Sequence, residues 1–123
     1  MRTIIAGSRG LTDPALIETA VLDALLYAGI NPTVVLSGTA DGVDRLGETW
    51  AEAQGLVVER YPAPWAQYPK TAGRMRNVQM SRRADALIAV WDGTSPGTRH
   101  MISLMYRLRK PYHVLNLQEK SAP

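Results

Sequence analysis

The sequence predicts an α/β fold: a Rossmann-like three-layer domain whose five-stranded, mainly parallel sheet runs in the order 3-2-1-4-5. Three observations carry that prediction. Short apolar runs rich in β-branched residues alternate with helical patterns along the chain, so each strand is joined to the next by a helical crossover. Such crossovers lay helices on both faces of a parallel sheet. Gly-rich, hydroxyl-bearing loops follow strands 1, 2 and 4, and strands 1 and 4 flank the point where the strand order reverses and ligands gather.

Residues 1–6 (MRTIIA) read as the first strand, broken by Gly7-Ser8-Arg9-Gly10. Asp13 and Pro14 suit the N-cap and first turn of a helix. Its apolar positions Leu16, Ile17, Ala20, Val21, Ala24, Leu25 and Ala28 recur at helical spacing, and Gly29 stops it. Residues 33–36 (TVVL) form a second strand, followed by the loop Ser37-Gly38-Thr39-Ala40-Asp41-Gly42. A helix over 43–54 takes Asp41 as its N-cap and ends at Gly55. Its Trp50 is expected in the core. Residues 56–61 are the third strand. Residues 62–69 hold three prolines and Trp65, so they form an irregular crossing. A helix over 71–83 turns Met75, Val78 and Met80 to the core. Residues 86–91 are the fourth strand, a helix over 98–109 follows, and Pro111 leads into a fifth strand over 112–117. One domain over 1–117 is expected, with a flexible tail over 118–123.

With 123 residues the chain suits one domain, and 46% hydrophobic residues suffice for a packed core. The absence of cysteine excludes disulfides, cysteine zinc sites and cysteine nucleophiles. It suits a reducing compartment, and the expected location is cytoplasmic. No stretch approaches the roughly 18 apolar residues of a membrane span, so no membrane partner is expected. Net charge is +3, from 14 Lys and Arg against 11 Asp and Glu. That is compatible with an anionic ligand and too small to point to nucleic acid as a partner, despite Arg74, Arg76, Arg82, Arg83, Arg107, Arg109 and Lys110. His100 and His113 are isolated from other ligating side chains, so no metal is expected, and no cofactor is implied. The chain has no dinucleotide fingerprint, P-loop or nucleophile elbow.

The candidate ligand-binding residues are those of the three loops and their flanks. Gly7, Ser8 and Arg9 come from the first loop, and Ser37, Gly38 and Thr39 from the second. Asp92, Gly97 and Thr98 come from the third. Glycine lets backbone amides approach a ligand closely. A helix opening near Gly97-Thr98 adds unpaired N–H groups and partial positive charge, which suit a phosphate. Arg9 can pair with a phosphate or carboxylate, or simply lie in solvent. Asp44 can hold a ribose hydroxyl, or serve as a first-turn acid favoured by the helix dipole. Arg76 and Asn77 can point at the strand ends, or belong to a solvated basic face. Trp65 and Trp91 can stack on a base or pack as core aromatics. His100 can contact a phosphate or act as acid or base.

The stretches IIAGSRG, SGTADGVDRLGETWA, AGRMRNVQM, ADALIAVWDG and PGTRH occur in that order. Together they resemble the YspA-like SLOG family over about residues 2–116. The resemblance implies a Rossmann-like fold and binding of nucleotides or nucleotide-derived molecules. It also implies kinship with the DNA-processing Smf proteins and the Lonely-Guy phosphoribohydrolases. Like the Lonely-Guy enzymes, the chain has an arginine, Arg76, four residues before a methionine, Met80, ahead of Ala84-Asp85-Ala86. Gly97-Thr98 match the glycine and threonine of their GG-x-GT-x-x-E motif. The glutamate position falls on Met101, and the double glycine is replaced in the region of Thr94 and Ser95. An enzyme would need another carboxylate in that role, such as Asp92, Asp44 or Glu48.

The sequence therefore favours a module that binds a nucleotide-like small molecule as a sensor or sequestering agent. The alternative is a phosphoribohydrolase or N-glycosidase acting on nucleoside monophosphates or related nucleotides, with catalytic residues unassigned. Met101, Ile102, Leu104, Met105 and Leu108 make an apolar arc wider than one sheet-facing stripe needs. With the helix pairing common among the relatives, that arc predicts a homo-oligomer.

Overall fold

The structure, a computed structural model, describes residues 1–118. Its elements are β1 (Arg2–Gly7), α1 (Ala15–Ala28), β2 (Val34–Ser37), α2 (Val43–Ala53), β3 (Val57–Arg60), α3 (Ala72–Arg83), β4 (Ala86–Trp91), α4 (Pro96–Arg107) and β5 (Tyr112–Asn116). The sheet order is β3-β2-β1-β4-β5, as the pattern predicts. Every pairing is parallel, including β1 on β4 from Thr3 opposite Ala86 to Gly7 opposite Val90.

The alternation along the strands sorts the core into two layers. Ile5, Val35, Ile88 and Val90 point to the side where Ile17, Ala20 and Ala24 of α1 and Val43 and Ala51 of α2 pack. Ile4, Leu36, Leu87 and Ala89 point to the opposite side, against Met80 of α3 and Met101 and Met105 of α4. β4 is buried along Ala86–Val90, as a central strand covered on both faces must be.

Several boundaries move. α4 begins at Pro96 rather than at residue 98, because proline's fixed φ suits the first helical turn, after Ser95 at the cap. α1 starts at Ala15 behind Pro14, with the Ala15 amide donating to Asp13 Oδ1 at 3.0 Å. Asp41 does not cap α2. The cap position is Gly42, at φ 77°, and no side chain bonds there. A Cβ at Gly42 would lie 2.4 Å from the Arg9 carbonyl oxygen, so the close passage of two loops requires glycine. Met75 is exposed rather than buried, and Val78 and Trp50 are half-buried.

The arc on α4 that suggested self-association is largely used inside the chain. Met101 and Met105 are buried, Ile102 and Leu104 pack against their cluster, and Leu108 is exposed. The exposed apolar side chains Leu22, Leu25, Leu26 and Tyr27 lie on α1 instead. Gln118, the first residue of the expected tail, donates its amide to Asn116 Oδ1 at 3.0 Å, and residues 119–123 lie outside the described residues. Among the described residues no helix is long and apolar enough to cross a membrane.

Candidate functional site

β1 and β4 lie side by side, but their exits diverge. The chain leaving β1 turns to the α1 side, and the chain leaving β4 turns to the α4 side. The crevice between them is where parallel sheets of this order open a ligand site. A cleft of about 370 Å³ occupies it. Gly7, Ser8, Arg9 and Gly10 form one wall, and Ser95, Pro96, Gly97 and Thr98 the other. Gly38, Ala40, Asp44, Arg76 and Asn77 also line it, with Met80 and Met101 as apolar walls.

Close packing at the strand ends fixes the first wall. A Cβ on Gly7 would sit 2.0 Å from the Val90 carbonyl oxygen, so only glycine lets β1 run this near β4. Ser8 is buried, and its amide donates to that same carbonyl at 3.1 Å. Its hydroxyl accepts the Asp92 amide at 3.0 Å and lies 3.0 Å from the Ser95 hydroxyl. Ser8 thus ties the loop after β1 to the loop after β4.

Asp92 shapes that second loop from within. Its carboxylate accepts the amides of Thr94 and Ser95, both at 2.8 Å, and the Ser95 hydroxyl at 2.7 Å. Those donors hold its carboxyl well below the usual aspartate range. Asp92 does not line the cleft. The amides of Gly97 and Thr98, in the first turn of α4, have no acceptor among the described residues. They are the ordinary orphan donors of a helix start, facing a cavity.

Opposite them stand a buried acid, Asp44, and a half-buried cation, Arg76, close enough for their charges to interact. Asp44 lies in the first turn of α2, only 5% exposed, and Ala40 donates its amide to Asp44 Oδ2 at 3.1 Å. Burial pushes its carboxyl up to about 6, against the pull of the Ala40 amide, the Arg76 charge and the Gly7 amide. Arg76 Nη1 donates to the Gly38 carbonyl, and Nε donates to Asn77 Oδ1 at 3.0 Å. Burial lowers the Arg76 pKa; Asp44 opposes that shift and the nearby Arg9 charge adds to it. A Cβ on Gly38 would fall 2.6 Å from Arg76 Nη1 and 2.8 Å from Asp44 Oδ2, so a side chain there would displace Arg76 or Asp44.

Asn77 links α3 to α4. Its Nδ2 donates to the Gly97 carbonyl at 3.2 Å and lies 3.2 Å from His100 Nδ1. Burial, then Arg74 and Arg107, lower the His100 pKa, which favours the neutral ring that can accept at Nδ1.

Nine of the sequence candidates therefore converge on one cleft: Gly7, Ser8, Arg9, Gly38, Asp44, Arg76, Asn77, Gly97 and Thr98. Ser37 does not line it. It is fully buried, donates to Glu48 Oε2 at 2.6 Å and accepts the Thr39 amide at 3.1 Å. Burial pushes Glu48 up, but the Ser37 hydroxyl and Arg60, 2.9 Å away, outweigh it and hold the carboxyl below its ordinary value. Glu48 is thereby committed to the base of the loop. Thr39, at φ 64°, lines a second cleft of about 210 Å³ with Pro62, Ala63 and Trp65. The two clefts share Arg9, Gly38, Ala40 and Arg76. Trp91 is occupied elsewhere: Nε1 donates to the Ser95 carbonyl at 3.0 Å and Arg99 covers the ring at 5.4 Å. Sequence reasoning left out Ala6, Gly10, Ala40, Met80, Ser95, Pro96 and Met101 as lining residues. Pro96, an ordinary helix-start proline, was the signal available for two of them.

The family model described as "YspA, cpYpsA-related SLOG family" matches residues 1–68, which include Gly7 to Arg9, Gly38, Asp44 and Trp65. The Gene 61 protein of Mycobacterium phage D29 is 34% identical over 128 residues, covering 97% of this chain and 98% of that protein. No solved structure matches the chain significantly. A family model spanning more than half of the chain, with a relative aligned along nearly all of it, makes this chain a member of the YspA, cpYpsA-related SLOG family.

Proposed function

We propose that the protein binds a nucleotide or nucleotide-derived small molecule and acts as a sensor or sequestering module. One observation carries this reading: Gly97 and Thr98, whose amides are unbonded among the described residues, line the same cleft as Arg76, at the sheet's switch point. A phosphate seated there receives backbone donors, the positive end of α4 and a cation restrained by Gly38 and Asn77. Arg9 and Arg76 repel each other, and an anion between them relieves that cost. Membership of the SLOG family supports a nucleotide-related ligand.

The second reading is an N-glycosidase, akin to the Lonely-Guy enzymes, and Asp44 favours it. A buried carboxyl titrating near 6 in a ligand-sized cleft is the kind of group that assists glycosidic cleavage. In that reaction the C1′–N bond breaks, water supplies the oxygen to C1′ and a proton goes to the base. Met101, at the position of the Lonely-Guy glutamate, weighs against it.

Thermal shift with nucleoside monophosphates, NAD, ADP-ribose and cyclic nucleotides tests the binding reading. A ligand at 100 times its Kd adds about 2.7 kcal/mol of stability. Gly97→Asp separates binding from folding. Space is open around Gly97, and an acid at a helix start stabilises by about 0.5 kcal/mol, yet it repels phosphate. The expected result is an unchanged or raised Tm without ligand and no ligand shift. A full shift in Gly97→Asp overturns the phosphate seat. Free base released from AMP by the wild type, and lost in Asp44→Asn, decides for the enzyme.

A further inference from the structure

The cleft does not end at Arg76. Arg9 and Arg76 form a waist, and beyond it the second lobe is bounded by Pro62, Ala63 and Trp65. The lobes differ in chemistry. The first presents helix amides, and the second presents an apolar, aromatic surface.

Trp65 is positioned rather than merely exposed. Its amide donates to the Ala63 carbonyl at 2.9 Å. The edge of its indole rests on the first turn of α3, with Cη2 only 3.4 Å from where a Gly73 Cβ would sit. Arg76 Nη2 is 3.9 Å from the same point, so a side chain at Gly73 would enter the space beside both the indole and the guanidinium. Trp65 is nevertheless 48% exposed. The other two tryptophans are committed, Trp50 against the core and Trp91 under Arg99.

We infer that the Trp65 lobe seats the aromatic base of a nucleotide whose phosphate lies at the start of α4, with Arg9 and Arg76 at the waist between them. This rests on the phosphate seat proposed above and adds the recognition of its other end. A base gains from stacking on an aromatic face beside a cation, and that gain tolerates any base because each has a π-face. The ligand class is thus a phosphorylated nucleoside rather than a bare sugar phosphate or inorganic phosphate.

The test is calorimetric titration of AMP, ADP-ribose and ribose 5-phosphate into wild type, Trp65→Ala and Trp65→Phe, each with its Tm measured. Trp65→Ala is expected to weaken the two nucleotides about tenfold or more, leave ribose 5-phosphate unchanged and leave Tm within error. Trp65→Phe keeps a stacking face and restores most of the affinity. It also removes the quenching of tryptophan emission by AMP, since Trp50 and Trp91 lie outside the lobe. Equal nucleotide affinity in wild type and Trp65→Ala overturns the base site and leaves the phosphate seat standing. Parallel loss of ribose 5-phosphate binding also overturns it, because Trp65 would then act on the whole cleft. Binding of none of the three to the wild type removes the phosphate seat and this inference together.

Discussion

The two helical layers are built from different materials. The α1–α2 layer carries Glu18, Asp23, Asp44, Glu48 and Glu52 against a single cation, Arg45. The α3–α4 layer has no acid, and carries Arg74, Arg76, Arg82, Arg83, Arg99 and Arg107. Their cores differ in the same way. Ile17, Val43 and small alanines pack beneath α1 and α2, while Met80, Met101 and Met105 pack beneath α3 and α4. The basic layer supplies Arg76, Asn77 and the open amides of the cleft, and the acidic layer supplies Asp44. Their charges approach each other where Asp44 and Arg76 both line the cleft. An overall charge of +3 conceals this division. It averages a layer that repels anions with one that attracts them, and the cleft opens onto the second.

The largest effects are expected in the cores. Ile17→Ala and Met105→Ala both truncate fully buried side chains, and such changes cost about 2–5 kcal/mol. Methionine side chains flex to fill gaps, so the cavity left by Met105 can collapse onto Met80 and Met101. Ile17 is surrounded by β-branched and small residues that move less. Urea denaturation should place Ile17→Ala near the upper end of that range and Met105→Ala near the lower end. Equal costs would remove the contrast between a rigid layer and an adaptable one.

Arg76→Ala cuts the link between the layers. It leaves Asp44 buried beside one fewer positive charge, so the variant is expected to be less stable than wild type at pH 7. The cost should shrink below pH 6, where Asp44 takes up a proton and no longer needs the partner. A cost independent of pH would mean that Arg76 acts through Gly38 and Asn77 alone.

How much of this was legible in the sequence varies with the kind of information. The strand alternation and the crossovers carried the topology, because both are local patterns read at fixed periods. The convergence of the three loops followed from the topology. The tasks of individual loop residues did not. Ser37 and Ser8 look alike as loop serines, yet one is sealed against Glu48 and the other ties two loops beside the cleft. Asp92 and Asp44 look alike as acids near glycine, yet one folds its own loop and the other enters the cleft. The start of α4 was hidden in the same way: beginning at Pro96 rather than at residue 98 puts Gly97 and Thr98 inside its first turn, where their amides lack helical acceptors. Trp65 was visible as an aromatic in a proline-rich crossing, but its seat depends on Gly73, which is distant in pattern and close only in space.

The smallest effect concerns Asp44 itself, and it sharpens the comparison most directly. Its folded carboxyl titrates near 6, whereas an ordinary aspartate titrates at 3.8. Between those values the folded state holds a proton that the unfolded chain has released. The stability this favours is complete below about pH 4 and is lost as the pH rises through about 6. A separation of about 2 pH units corresponds to at most about 3 kcal/mol, before other groups titrating in the same window are subtracted. Asp44→Asn keeps an acceptor for the Ala40 amide and removes the ionisation, so the difference in stability between wild type and variant should change across pH 4–6 and be flat on either side. Paired urea titrations at pH 4, 5, 6 and 7 measure that difference. Parallel curves at all four values would mean that Asp44 titrates as an exposed acid, and that the charge division between the layers stops short of the cleft. A slope confined to that window would make Asp44 an acid that the fold holds at an energetic cost, set by burial and only partly offset by the Ala40 amide and the Arg76 charge.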